Sequence, residues 1–205
     1  FNMKKSFLVS LLLFCLFSNA QEVFLTHGKN LTHYDQLNTN QNTLPVDRGI
    51  GSSFEIGFKS KYIKNTSFFY TLGLTYNQFN ALGQTNGLNM EWKTNYVGAN
   101  ATFNYSLIQS KRSSLSLKFG TSMQTVVYGK QQINLVQMDI VDNREFSGFN
   151  IGLQSGLVYH YQINPDCGVN LGYTHMQLYN LSNSTAEKSL FTNQNVSVGF
   201  TVKIK

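Results

Sequence analysis

Apolar and polar residues alternate with a period of two along most of this chain, a pattern that half-buried β-strands satisfy and helices do not. In the last run Val196, Val198, Phe200, Val202 and Ile204 share one face, while Asn195, Ser197, Gly199, Thr201 and Lys203 share the other. Leu115, Leu117, Phe119 and Met123 oppose Ser116, Lys118, Gly120 and Ser122 in the same way, and Ile151, Leu153, Leu157 and Tyr159 oppose Gly152, Gln154, Gly156 and His160. Clear runs fall near 49–62, 67–81, 92–108, 114–129, 148–163, 167–179 and 191–204. A weaker one near 22–33 completes an even number.

Composition decides which β architecture this is. Only 13% of residues are charged and 14% are aromatic, with 16 glycines and 2 prolines. A soluble eight-stranded barrel such as a lipocalin turns its polar face to water, and that face is rich in Lys and Glu. Here the polar face is Gly, Ser, Thr, Asn and Gln, which suits a narrow interior filled by side chains. The connections point the same way. Short turns at 63–66, 109–113 and 164–166 alternate with long polar segments at 34–48, 82–91, 130–147 and 180–190, as in outer-membrane barrels. The expected fold is all-β: an eight-stranded antiparallel up-and-down transmembrane β-barrel in the outer membrane, with both termini periplasmic. Tyr62, Phe68, Tyr70, Phe103, Tyr105, Tyr159 and Tyr161 would form one aromatic girdle, and Tyr76, Phe79, Trp92, Tyr128 and Tyr173 the other.

The first twenty residues read as an export signal. Met3 is taken as the start, Lys4 and Lys5 as the positive region, 7–17 as the apolar stretch and Ser18-Asn19-Ala20 as the cleavage site. The alternative is an N-terminal membrane anchor, for which the apolar run is short. The expected division is a removed signal peptide at 1–20 and a barrel domain at 21–205. Within the latter Cys167 is the sole cysteine, which leaves no internal disulfide to form.

The segments TNYVGANATFNYSL (94–107), GLTYNQFNALG (73–83) and GYTHMQLYNLSNST (172–185), with the Asn19-Ala20-Gln21 signal ending, resemble the small outer-membrane protein beta-barrel domain family of Bacteroidota. The resemblance implies a Gram-negative outer-membrane location and this fold. It implies no single activity, because one barrel type serves unrelated tasks.

Chemistry is sparse. The formal charge is +6, about +4 without Lys4 and Lys5, and Lys59, Lys61, Lys64, Lys111, Arg112, Lys118, Lys203 and Lys205 map to the periplasmic end. A basic rim there fits anionic lipid headgroups as partners. It does not fit nucleic acid, which needs a basic groove with stacking aromatics. His27, His33, His160 and His175 lack the nucleophile and carboxylate of a catalytic array, so no catalytic, cofactor or metal residue is assigned. Asp139, Asp142 and Glu145 match no calcium-loop spacing. Glu55 is the one acid expected deep inside the barrel, and burial demands a partner, Lys118 or Lys59. The loop 130–147 carries Ile133, Leu135, Val136, Met138 and Ile140, an apolar run that either caps the barrel mouth over Tyr128 and Phe149 or offers an edge to another protein. Three functions follow as expectations: a non-enzymatic barrel that binds a partner or stabilises the envelope, an accessory subunit of a larger outer-membrane complex, or a lipid-modifying enzyme.

Overall fold

The computed structural model describes residues 22–36, 46–61, 67–85, 88–134, 136–141, 148–181 and 189–204. The strands are β1 (Glu22–Gln36), β2 (Val46–Lys61), β3 (Phe68–Thr85), β4 (Leu88–Gln109), β5 (Ser113–Ile133), β6 (Val136–Asp139), β7 (Phe149–Gln162), β8 (Cys167–Asn180) and β9 (Ser189–Lys203). Eight of them close a ring in the order β4-β3-β2-β1-β9-β8-β7-β5, sealed by β4–β5, and β6 adds to the far end of β5. Every pairing is antiparallel. The fold is a closed eight-stranded barrel.

The register fixes its shape. Cross-strand partners lead from Phe24 through Gly57, Gly73, Asn100, Ser122, Gly152, Leu178 and Phe191 back to Tyr34, ten residues further along β1. Such a stagger requires strands tilted at roughly 35–45° to the barrel axis. The outward parity carries Leu25, Ile56, Leu74, Val97, Phe103, Phe119, Leu153 and Val198, all exposed. Large apolar side chains cover the outer wall, while Asn, Ser, Thr and Gln turn inward. A water-soluble monomer rarely exposes so continuous an apolar surface.

At the turn end the reversals near 109–113 and 164–166 fall where expected, while 63–66 lies outside the described residues. Asn164 accepts from the backbone N–H of Asp166 (3.0 Å) and Cys167 (2.7 Å) through its side chain, which fixes the reversal before β8. The opposite end, where the longer connections lie, differs from expectation. Segment 82–91 is not a loop, because β3 and β4 stay paired to Thr85–Leu88. Segment 130–147 begins as strand and folds back, with Ile133 opposite Val136. Asn134 takes a φ of 51° there, which Asn tolerates better than most residues. The tip docks sideways on β4, with Asn134 N–H donating to Asn89 O (2.9 Å) and Asn89 N–H to Asn134 Oδ1 (3.1 Å).

Candidate binding site in the barrel lumen

The inward parity is mostly polar, with Phe24, Phe69 and Val158 as apolar exceptions near the turn end. Toward the loop end apolar residues gather on it. Phe79 continues the inward row of Thr75 and Asn77, Tyr96 that of Asn100, Phe191 that of Asn193, and Met176 and Leu178 that of Thr174. Their rings meet on the axis: Phe79–Tyr96 at 5.4 Å, Phe79–Phe191 at 5.1 Å and Tyr96–Phe191 at 5.8 Å between centroids, all tilted. Ala81, Trp92, Val126 and Ile140 complete a buried apolar roof. Phe79 and Trp92 therefore lie inside the barrel and not in an outer girdle. Tyr76, Tyr128 and Tyr173 stay exposed on the wall, and Tyr62 lies outside the described residues.

Of the five loop residues singled out from sequence, Ile140 is fully buried in this roof, with its N–H donating to Gly129 O (3.1 Å). Ile133 is half-buried, Val136 and Met138 are exposed, and Leu135 lies outside the described residues. The segment does not cover Tyr128 or Phe149, both of which remain exposed. What it covers is the aromatic triad.

Beneath the roof runs a layer of amides. Thr32 donates to Asn193 Oδ1 (3.2 Å), and Asn193 (3.0 Å) and Asn195 (2.9 Å) donate to Asn30 Oδ1. Asn30 donates to Asn77 Oδ1 (3.4 Å), and Asn77 donates to Gln124 Oε1 (3.1 Å). The chain of bonds crosses the lumen from β9 through β1 and β3 to β5. Asn30, Asn77, Asn193 and Gln124 each both donate and accept, which is why an amide is the group that can tile such a layer.

Below the amides lies a cavity of about 120 Å³, lined from Met176 and Asn193 down to Ser114, His160 and Thr201 near the turns. Near the turn end Lys59 Nζ pairs with Glu22 Oε2 at 2.8 Å and stands 4.6 Å from the Phe69 ring centre. This corrects the expected pairing. Lys59 is committed to Glu22, and no ion pair joins Glu55 to Lys118 among the described residues. Lys118 itself lines the lumen and is not part of a basic rim, whereas Lys111, Arg112 and Lys203 are exposed at the turn end. Lys64 and Lys205 lie outside the described residues, as does the side chain of Lys61. His160 Nδ1 lies 2.7 Å from Asn170 Oδ1, and Asn170 donates on to Thr201. An amide, not a carboxylate, orients that ring. Asp139 accepts from Val141 N–H (3.0 Å), while Asp142 and Glu145 lie outside the described residues. No group of three His, Cys, Asp or Glu fit to hold a metal occurs among the described residues.

No protein-family model matches the chain, and no curated protein does. Solved structures do match it in fold. The outer membrane protease OmpT from Escherichia coli aligns over 91% of this chain and 97% of its own, at 7% identity and a TM-score of 0.51. Neisserial surface protein A aligns over 88% and 97%, at 16% identity and a TM-score of 0.48. The outer membrane protein OprG from Pseudomonas aeruginosa aligns over 91% and 97%, at 12% identity and a TM-score of 0.47. What the chain shares with these proteins is the closed antiparallel barrel.

Proposed function

We propose that the protein is a non-enzymatic outer-membrane barrel, exported by its first twenty residues, with both termini in the periplasm and its working surface at the outer rim. The apolar outer wall supports lipid as its surroundings. One observation carries the functional reading: the lumen is roofed by Phe79, Tyr96, Phe191 and Ile140, while the β5–β6 hairpin projects beyond that roof with Val136 and Met138 exposed. A barrel roofed in this way favours binding at the rim over passage through the centre. β6 pairs with β5 alone among the described strands, so its other edge is open to strand addition. The partner is another envelope protein or a larger outer-membrane complex.

Co-purification from native membranes in mild detergent tests this reading. The wild-type protein retains its partner, and the double variant Val136→Ser, Met138→Ser loses it while the barrel stays folded. Equal recovery of partner by both proteins would remove the rim from consideration.

A further inference from the structure

We propose that the lumen binds a small zwitterion carrying a primary ammonium and a carboxylate, the chemistry of an amino acid, entering from the turn end. The inference goes beyond the rim function and rests on a different part of the molecule.

The ammonium niche is formed by four neighbours. Glu55 on β2 stands opposite Thr75 on β3, and Gly73, two residues below Thr75, stands opposite Asn100 on β4. A β-carbon on Gly73 would lie 2.7 Å from Glu55 Oε1 and 3.0 Å from Asn100 Oδ1. The missing side chain thus lets two oxygens converge over the same glycine. Asn100 and Thr75 are 6% and 8% exposed, and neither Asn100 Oδ1 nor Thr75 Oγ1 has a hydrogen-bond partner among the described residues. Buried polar atoms are otherwise almost always satisfied. Glu55 makes no ion pair among the described residues either. All three can accept, the Thr75 hydroxyl being a donor as well, and together they offer acceptors for the three N–H donors of a primary ammonium.

The second half of the argument is Lys118. It projects into the same cavity from β5, three strands round the ring from β2 and so on the facing wall. Among the described residues no carboxylate lies within ion-pair distance of it. Lys59, which also lines the cavity, is neutralised by its pairing with Glu22. A lone cation in the niche would be repelled by Lys118, and a lone anion by Glu55. A zwitterion meets both walls. The amide layer and roof above exclude water from that side, which strengthens charge contacts in the enclosure.

Titrating the purified, signal-free protein in detergent with glycine, β-alanine and γ-aminobutyrate, and with methylammonium, acetate and sodium chloride as controls, tests the proposal through the thermal unfolding midpoint. At least one of the three amino acids should give a saturable rise with an affinity about tenfold or more above methylammonium or acetate. Glu55→Gln and Lys118→Met should each weaken it about tenfold or more, with cold and boiled gel mobility unchanged to show an intact barrel. Gly73→Ala should abolish it by driving Glu55 Oε1 away from Asn100 Oδ1. No saturable response to any amino acid overturns the proposal. So does a response that survives both charge variants, or one that methylammonium or sodium reproduces regardless of Lys118, which would mark a simple cation niche. Binding of methylammonium by Lys118→Met alone also overturns it, since Lys118 would then be the natural occupant.

Discussion

Ile140 occupies the space that a side chain on Gly129 would need: a β-carbon there would stand 2.9 Å from Ile140 Cγ1. Glycine on β5 is what lets the returning segment after β6 drop into the barrel mouth. Truncating Ile140 to Ala should leave a void under the roof and lower stability by about 2–5 kcal/mol. Gly129→Val should force Ile140 out and cost a comparable amount. Denaturant unfolding in lipid vesicles reads both, and a loss well under 1 kcal/mol for each would mean that the segment merely rests on the surface.

Asn30 is the hub of the amide layer. Its Oδ1 accepts from Asn193 and Asn195, and of the two Asn195 alone also reaches Ser53 Oγ, at 2.7 Å. Asn30→Leu should therefore orphan the buried Asn193 amide and cost about 1–3 kcal/mol. The same unfolding assay applies. Asn195→Ala should cost less than Asn30→Leu, because it leaves the Asn193–Asn30 bond in place; the reverse order would place the hub elsewhere.

Seven barrel strands could be read from alternation because period two survives wherever one face meets a different medium from the other, and the eighth, β1, rested on completing an even number. Strand ends could not. Thr85 pairs with Leu88 across Asn86-Gly87, the sequence signal of a two-residue hairpin, yet polar 82–91 looked like a loop because beyond the apolar band both faces are polar and the alternation fades. The roof had a signal too. Phe79, Tyr96, Met176, Leu178 and Phe191 are apolar residues on the polar parity, all toward the same end of their strands. Parity tells which wall a residue faces, and only the register brings five such exceptions to one level. The Glu55 partner was misread for the opposite reason: Lys59 shares its face, but Glu22, opposite Lys59 on β1, is nearer.

A lysine scan of the outer wall should show a depth profile. Leu74→Lys, in the middle of the apolar wall, should cost about 2–4 kcal/mol in a bilayer, and Asn95→Lys, near the loop end, about 0–1 kcal/mol. Leu74 is 66% exposed, so its replacement disturbs no packing inside the protein. Equal, small costs at both sites would argue that no lipid surrounds the wall.

Closure itself is visible on a gel. β1 and β9 pair without interruption from Glu22–Lys203 to Gln36–Ser189. Protein loaded cold in SDS should migrate apart from the boiled sample, and a chain ending at residue 188 should show one mobility under both conditions. Identical migration of the full protein before and after boiling would contradict a sealed ring.

The ten-residue climb from Phe24 to Tyr34 is the sum of all eight strand offsets, and that makes register a collective property of the chain. A slip of two residues in any one hairpin keeps every side chain on its proper face, so local alternation does not detect it. The error reappears at the seam, where β1 and β9 would meet out of step and the roof rings would miss one another. Proofreading of the whole ring is thus concentrated in its last joining event. A hairpin formed early in the wrong frame must reopen before the ends of the chain can zip together.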